Sequence, residues 1–367
     1  MQGGVGAYTQ ILARHFAALG NDVFLLTHTQ AVEDAPGIKR EAISGWGINA
    51  LPGIRGWVKR NRLDVISLQF ETAAYQMSPW VHFVPQVAGA PVVATFHDLL
   101  VPYLFPKAGR VRDWIVMHLA RTSAGVIATN HEDFARLRHL PCATLIPIGS
   151  NIAPVLPATF DREQQRQRAG AVPETFLLAY FGFLNRSKGV ETLLHALANL
   201  REQKIPVRLV MIGGRTGSSD PSNAAYAAEI DHLISQLNLN ESIHWTGYAD
   251  EREVSAWLAA SDLIALPFND GASYRRGSLM AAIAHGCPIL TTTPTISIPT
   301  FVHQENLWLT PIGDAQALSE AITHLLETPM LRQRLAEGAR KLDQQFQWDA
   351  IAHDCLALFQ RVSAASC

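Results

Sequence analysis

Pro267-Phe268-Asn269-Asp270-Gly271-Ala272-Ser273-Tyr274-Arg275-Arg276-Gly277-Ser278-Leu279 is the stretch whose reading decides the fold. Ahead of it, residues 262–267 form an apolar run that reads as a buried strand. Behind it, the small residues of 278–285 predict a helix stopped by Gly286 at a C-cap, and 287–292 read as the next strand. A strand, a polar turn and a helix start make the unit that binds anions in open α/β sheets, because the first N–H groups of the helix are free and its dipole is positive there. Arg275 and Arg276 add fixed charge and forked donors suited to phosphate oxygens. Taken alone, the two arginines read equally well as a solvated surface pair. The rest of the chain favours a site.

At 367 residues the chain is too long for one ordinary core, and two domains are expected. A hydrophobic content of 48% with 17% charged residues describes a globular protein, and a net charge of −2 gives no electrostatic reason to expect nucleic acid. Cys142, Cys287, Cys355 and Cys367 lack C-x-x-C spacing, which argues against a disulfide framework or a zinc site and suits a cytoplasmic location. No apolar run approaches the roughly 20 residues of a membrane span. The basic segment 53–62 with its embedded Trp57 reads either as an ordinary surface helix or as one touching an anionic membrane.

Strands are expected at 21–27, 63–69, 91–96, 125–129 and 143–147, alternating with helices that begin at 7–19. Residues 152–174 turn Pro-rich and then polar. A second series follows, with strands at 176–181, 207–212, 242–246, 262–267, 287–292 and 306–310. The alternation predicts an α/β protein of two Rossmann-like, doubly wound domains facing a cleft. The boundaries are 1–153, then a linker at 154–173, then 174–346, with 347–367 as a last helix. A glycine turn opening a helix usually follows a strand, so an apolar strand is expected before Met1. The N-terminal first strand is missing from the sequence, either because the reading frame starts too late or because the fold lacks it.

The chain resembles family-four-type retaining glycosyltransferases of the GT-B fold over nearly its whole length. The residues that carry the resemblance are GGVGAY (3–8), TFHD (95–98), FGFLNRSKG (181–189), HWTGYA (244–249), MAAIAHGCPIL (280–290), ENLWLTPIGD (305–314) and Phe346-Gln347-Trp348. Two departures stand out. Counting back from Gly286, the family's E-x₇-E pair falls on Ser273 and Ala281, so both carboxylates that would hold donor hydroxyls are absent. The arginine expected after Gly182 is Phe183, while Lys188 is in place. D-G-A-S-Y-R-R-G-S-L (270–279) is similar to a subgroup carrying this same loss.

The resemblance implies a metal-independent transfer of a sugar from a nucleotide-diphosphate donor to an unknown glycan, lipid or small-molecule acceptor. It implies no cofactor beyond that nucleotide-sugar substrate, an N-terminal domain on the acceptor side, and a last helix crossing back onto that domain. Lys188, Arg276 and His97 are the expected catalytic groups. Gly3, Gly4, Gly182, Arg275, Gly277, Ser278, Asp270, Gly247 and Tyr248 are expected to bind the donor, and Glu71 to orient the acceptor. Positive charge and oriented donors where negative charge develops are what a departing diphosphate needs. Asp270 reads as a sugar-hydroxyl ligand or an Asx-turn residue, and His97 as a site group or a structural histidine. Trp245 is expected in the core. No H-E-x-x-H, D-x-D pair or basic–aromatic stripe suggests a metal or nucleic acid. A non-catalytic nucleotide- or partner-binding protein of the same fold is the alternative reading, and nucleotide-sugar epimerisation a weaker third.

Overall fold

The computed structural model describes residues 4–28, 37–99, 110–215 and 221–364. They fall into two units: 1–151 with 346–367, and 152–345. Each is an α/β layer built on parallel strands.

The first unit opens with α1 (Gly4–Ala18), then β1 (Val23–His28), β2 (Ile38–Ile43), α2 (Ala50–Asn61), β3 (Ile66–Phe70), a short α3 (Val84–Val87), β4 (Val92–Phe96), α4 (Arg110–Thr122), β5 (Gly125–Ala128), α5 (His131–Leu137) and β6 (Ala143–Leu145). Its strands form two separate parallel sheets, β1-β2 and β3-β4-β5-β6. Alternation of side chains along a strand sends Val92, Ala94 and Phe96 to one face, with Trp57, Phe70 and Leu119. Val93 points to the other, with Tyr8 and Ile127.

The second unit contains α6 (Arg162–Arg168), β7 (Phe176–Phe181), α7 (Val190–Glu202), β8 (Val207–Ile212), α8 (Pro221–Gln236), β9 (Ile243–Trp245), α9 (Glu251–Ala260), β10 (Leu263–Leu266), α10 (Gly277–Ala284), β11 (Ile289–Thr292), β12 (Trp308–Thr310), α11 (Ala315–Glu327) and α12 (Pro329–Asp343). One six-stranded parallel sheet runs β12-β11-β10-β7-β8-β9. β10 and β11 are buried throughout and β7 at five of six positions; β7 and β10 read in sequence as unbroken apolar runs, while β11 ends in Thr291 and Thr292, whose hydroxyls donate to Leu266 O and Phe268 O. The closing helix α13 (Trp348–Ala364) belongs to the first unit, where Ile351, Leu358 and Val362 join the Tyr8 face.

Two sequence expectations are corrected, and one open alternative is narrowed. The segment 154–173 is not a bare linker: it carries α6, which is bound into the second unit through Arg166, 3% exposed. Arg166 Nη1 donates to Asp262 Oδ2 (2.8 Å) and Ala260 O (3.1 Å), and Nη2 to Thr175 O (2.5 Å). Trp57 lies in the core at 7% exposure, and Arg60 of the same helix pairs with Glu41, so the indole offers nothing to a membrane. Trp245 is half-buried rather than core, with the Arg215 guanidinium 4.6 Å above its ring. No described helix is long and apolar enough to cross a membrane.

Asp262 is the acceptor that makes the buried Arg166 tolerable, and it also takes the amide of Leu177 at 2.8 Å. Asp262→Ala strands a buried guanidinium and is expected to cost about 3–5 kcal/mol. Arg162→Ala, at the exposed side of the same carboxylate, should cost less than about 1 kcal/mol. Urea unfolding of the two variants followed by circular dichroism reads the difference directly.

Candidate active site

The strand order of the second unit reverses between β7 and β10: β8 and β9 follow outward on one side, β11 and β12 on the other. Loops leaving the carboxyl ends of the two strands at such a switch point diverge and open a crevice. Here they are residues 182–189 after β7 and 267–276 after β10.

The two loops are fastened together. Asn269 N donates to Ser187 O (2.9 Å) and Asn269 Nδ2 to Arg186 O (2.6 Å). Gly189 has φ +67°, and a Cβ on it would run into the carbonyl of Pro267. Only glycine lets the loops approach so closely.

This closure gathers the cations. Arg276 sits with its guanidinium 4.9 Å over the Phe268 ring, its Nη1 donating to Ser187 Oγ at 3.1 Å and its Nη2 ion-paired with Asp270 Oδ1. Arg275 Nη2 lies 4.0 Å from the other oxygen of Asp270. Both arginine side chains are largely enclosed, 17% and 14% exposed, so the solvated-pair reading fails. Lys188 folds back against Gly182, whose φ of +130° and missing Cβ leave room for the amine; a methyl group there would collide with Nζ. Burial, and then the nearby Arg276 charge, push the Lys188 pKa down from 10.5 to about 8. No carboxylate among the described residues pairs with Lys188. Arg275 and Arg276 thus share the carboxylate of Asp270, and Lys188 lies close enough to Arg276 to feel its charge.

Helix α10 starts directly after Arg276. Its first hydrogen bonds run from the amides of Leu279 and Met280 to Arg276 O, which leaves the amides of Gly277 and Ser278 outside the ladder. A Cβ on Gly277 would meet nothing within 4 Å. Ser278 Oγ and Arg276 Nε are buried and have no hydrogen-bond partner. Orphaned buried donors are rare in proteins and call for an occupant. Ser273 and Ala281, the positions without carboxylates, are 1% and 0% exposed.

Gly247 has φ +68° and forms a bridge with Gly213 across the ends of β8 and β9, while Tyr248 beside it is 86% exposed. Phe183 is half exposed at 52%. Among the described residues no three His, Cys, Asp or Glu side chains gather as a metal site would require.

In the first unit, His97 follows β4 and is half-buried. Its Nε2 donates to Gln69 Oε1 at 3.0 Å, Gln69 Nε2 donates to Ser67 Oγ at 2.8 Å, and the Tyr8 ring meets it edge-on at 4.7 Å. That arrangement puts the ring proton on Nε2 and leaves Nδ1 as an acceptor. Desolvation lowers the pKa to about 4, so the imidazole is neutral near pH 7. Glu71 Oε2 accepts from Ala74 N at 2.9 Å and so closes the turn after β3. Gly4 is the exposed first residue of α1, with open space where a Cβ would sit. Gly3 lies outside the described residues.

Sequence reasoning missed Ser187, Asn269 and Gln69. The polar Gln69 inside the apolar strand Ile66-Ser-Leu-Gln-Phe70 was a legible signal. The roles of Ser187 and Asn269 depend on a partner some 80 residues away.

Two family models match the chain: Glycosyltransferase Family 4 over residues 2–152, and Glycosyl transferases group 1 over residues 161–342. The chain is 25% identical to a D-inositol 3-phosphate glycosyltransferase of Jonesia denitrificans, over 99% of this chain and 92% of that one. It is also 25% identical to a phosphatidyl-myo-inositol mannosyltransferase of Mycobacterium leprae, over 85% and 77%. Solved structures with the same fold include sucrose-phosphate synthase from Thermosynechococcus elongatus (TM-score 0.75, 22% identity, 99% and 94% covered). Another is Anabaena HepE in complex with UDP and glucose (TM-score 0.75, 19%, 97% and 96%). The non-catalytic alternative is not favoured by these likenesses. With two family models together spanning both units and curated relatives along nearly all its length, the chain is a glycosyltransferase of the GT-B fold and of the family-four type.

Proposed function

We propose that the chain moves a sugar from a nucleoside-diphosphate donor to an acceptor hydroxyl with retention of anomeric configuration, using side-chain cations where other enzymes use a metal. The observation that carries this is the crevice between the β7 and β10 loops, where Lys188, Arg275 and Arg276 converge on a helix start with Ser278 Oγ and Arg276 Nε unsatisfied. A diphosphate supplies acceptor oxygens for all of them. As the bond from the anomeric carbon to phosphate oxygen breaks, its electron pair stays with the diphosphate, and the cations meet charge that grows in the transition state. The acceptor oxygen bonds to the anomeric carbon on the face that the diphosphate leaves, and its proton passes to a phosphate oxygen. No carboxylate nucleophile is required.

Gly277 leaves the backbone accessible to the phosphates, Gly182 makes room for the Lys188 amine that meets them, and Gly247 with Tyr248 borders the base. The lone pair on His97 Nδ1 suits a sugar hydroxyl, a donor, better than a phosphate oxygen. Glu71 is left to the acceptor side. The stretch 270–279 supports a place in the subgroup lacking the E-x₇-E carboxylates. The unpaired cysteines, two buried and one exposed among the described residues, suit a reducing cytoplasm.

Lys188→Ala and Arg276→Ala should each lower kcat by about 10²–10³ with an unchanged circular dichroism spectrum. The assay is a panel of UDP-, GDP- and ADP-sugars against acceptors that include inositol phosphates, with the product anomer read by NMR. Unchanged rates remove the proposed roles, and an inverted product removes retention.

The acid–base behaviour of Lys188 gives an independent check. Burial disfavours its charged form, so the unliganded unit is relieved of a penalty as pH rises through about 8. A bound diphosphate favours the charge and reverses that sign. Nucleoside diphosphate affinity should therefore fall about tenfold per pH unit above the pKa near 8. Calorimetric titration between pH 7 and 9.5 measures the slope, which Lys188→Met should abolish.

A further inference from the structure

The three arginines of α6 have acceptors, and a fourth beside them has none. Arg162 and Arg166 share the carboxylate of Asp262. Arg168 Nη2 donates to Glu253 Oε1 at 2.8 Å, and its Nη1 to Gln165 Oε1 at 3.0 Å. Arg208, the second residue of β8, makes no hydrogen bond or ion pair with the described residues, and its Nε is buried. The guanidinium lies on the backbone of Gly170, where a Cβ would come within 3.0 Å of Cζ. Capping of α6 does not account for it. The last carbonyls of that helix are already taken, Gln167 O by Gly170 N at 2.8 Å and Arg166 O by Ala171 N at 3.1 Å.

The surplus of donors extends beyond Arg208. Trp257 of α9 is fully buried and meets both Arg168, whose Cζ lies 5.2 Å over its ring, and His244, whose ring centroid is 5.2 Å away. Its Nε1–H is buried without an acceptor, and so is the amide nitrogen of Gln165, which is 8% exposed. With Arg208 Nε, three enclosed groups here lack partners, and all three are donors. Buried polar groups rarely go unpaired. His244 of β9 is half-buried and feels both the Arg168 and the Arg208 charge. Desolvation, followed by those two charges, lowers its pKa, and the opposing carboxylate is Glu253, which Arg168 already engages.

We propose that Arg168, Arg208 and His244 form a second anion site, beside α6 and α9, that takes the phosphate group of a monoester. A phosphate offers only acceptor oxygens around a tetrahedral centre, and this cluster offers only donors. The fork of Arg208 suits two of those oxygens, and Arg168 and a His244 ring N–H suit the rest. The Trp257 ring and Gln165 Oε1 hold the Arg168 plane in place, so part of its ordering cost is met before the ligand arrives. This place is separate from the crevice. The crevice loops leave the carboxyl ends of β7 and β10, whereas Arg208 stands at the amino end of β8, four residues before its last, Ile212. Four residues of strand span about 13 Å. The inference rests on this surplus of donors, independently of the proposed sugar transfer.

The test follows the His244 imidazole by NMR in the full chain carrying ¹³C-labelled histidine, its signal identified by loss in His244→Gln. Inorganic phosphate is titrated in against sodium chloride at constant ionic strength. Bound phosphate should raise the His244 pKa by about one unit or more. Arg208→Met keeps the packing against Gly170 and removes the charge, and it should weaken the response at least about tenfold. Lys188→Ala, which alters the crevice alone, should leave the response unchanged. No His244 response at millimolar phosphate, an equal response to chloride, or an undiminished one in Arg208→Met overturns the proposal, as does a response lost in Lys188→Ala. Should Arg208→Met fail to fold, Arg168→Gln gives the same readout, because it removes a cation and leaves Glu253 to repel the ligand. Glycerol phosphate in solution and phosphatidic acid in phosphatidylcholine vesicles are two further arms. A response to either supports the site, and which of them acts tells a free phosphate ester from a lipid headgroup.

Discussion

The pairing of β7 with β10, Leu178 opposite Leu263 and Ala179 opposite Ile264, is the constraint on which the site depends. These strands are far apart in the chain and adjacent in the sheet. Their adjacency makes two loops leave the same edge side by side. Gly189 against Pro267 and the two bonds from Asn269 then hold the loops in one arrangement. Without that closure Lys188 and Arg276 are ordinary surface cations that repel each other and drift apart. With it, the Lys188 charge is disfavoured by roughly 3 kcal/mol, judged from its pKa near 8. Burial accounts for most of that penalty and the Arg276 charge for the rest, and a cluster so desolvated is poised to bind an anion, since the ligand recovers what the empty site loses.

Asp270 acquires a different character in the structure from the one its sequence suggests. It faces both arginines, so its oxygens are committed before any donor arrives. A carboxylate so placed orients the Arg276 fork and partly neutralises the pair, and an incoming diphosphate competes with it for the same guanidinium groups. The absent carboxylates at 273 and 281 fit that picture. Both positions are enclosed, and Ala281 lies on the face of α10 that is buried with Met280 and Ile283. A glutamate there would need its own partners in a crowded interior, and none is provided.

How much could be read without coordinates follows from the same physics. Strands of the second unit announce themselves because sheets covered on both faces need unbroken apolar runs, as in Phe176–Phe181 and, after Arg208, in 209–212. β2 was not legible: Ile38-Lys-Arg-Glu-Ala-Ile43 is an edge strand whose polar residues mask its period. α6 was hidden by a run of arginines and glutamines, one of which turns out to be buried against a carboxylate almost a hundred residues on. The cationic site was legible because Arg275-Arg276 stands between a polar turn and a small-residue helix. The groups that aim those cations were not, because Ser187 and Asn269 owe their roles to sheet order rather than to local pattern.

The first unit sets the conditions on His97. There, interior side chains divide into separate groups: one around Phe70 and Trp57, one around Tyr8 and α13, and a small one at Ala13 and Ile38. His97 and Gln69 sit at the carboxyl ends of β4 and β3. Their hydrogen bond fixes the imidazole tautomer, and Gln69 can hold His97 only while β3 keeps its register with β4. An unpaired edge frays more readily than a paired one, because each amide exposed to water can exchange its partner at little cost. The neutral, oriented state of His97 and the register of β3 against β4 are linked properties of one layer.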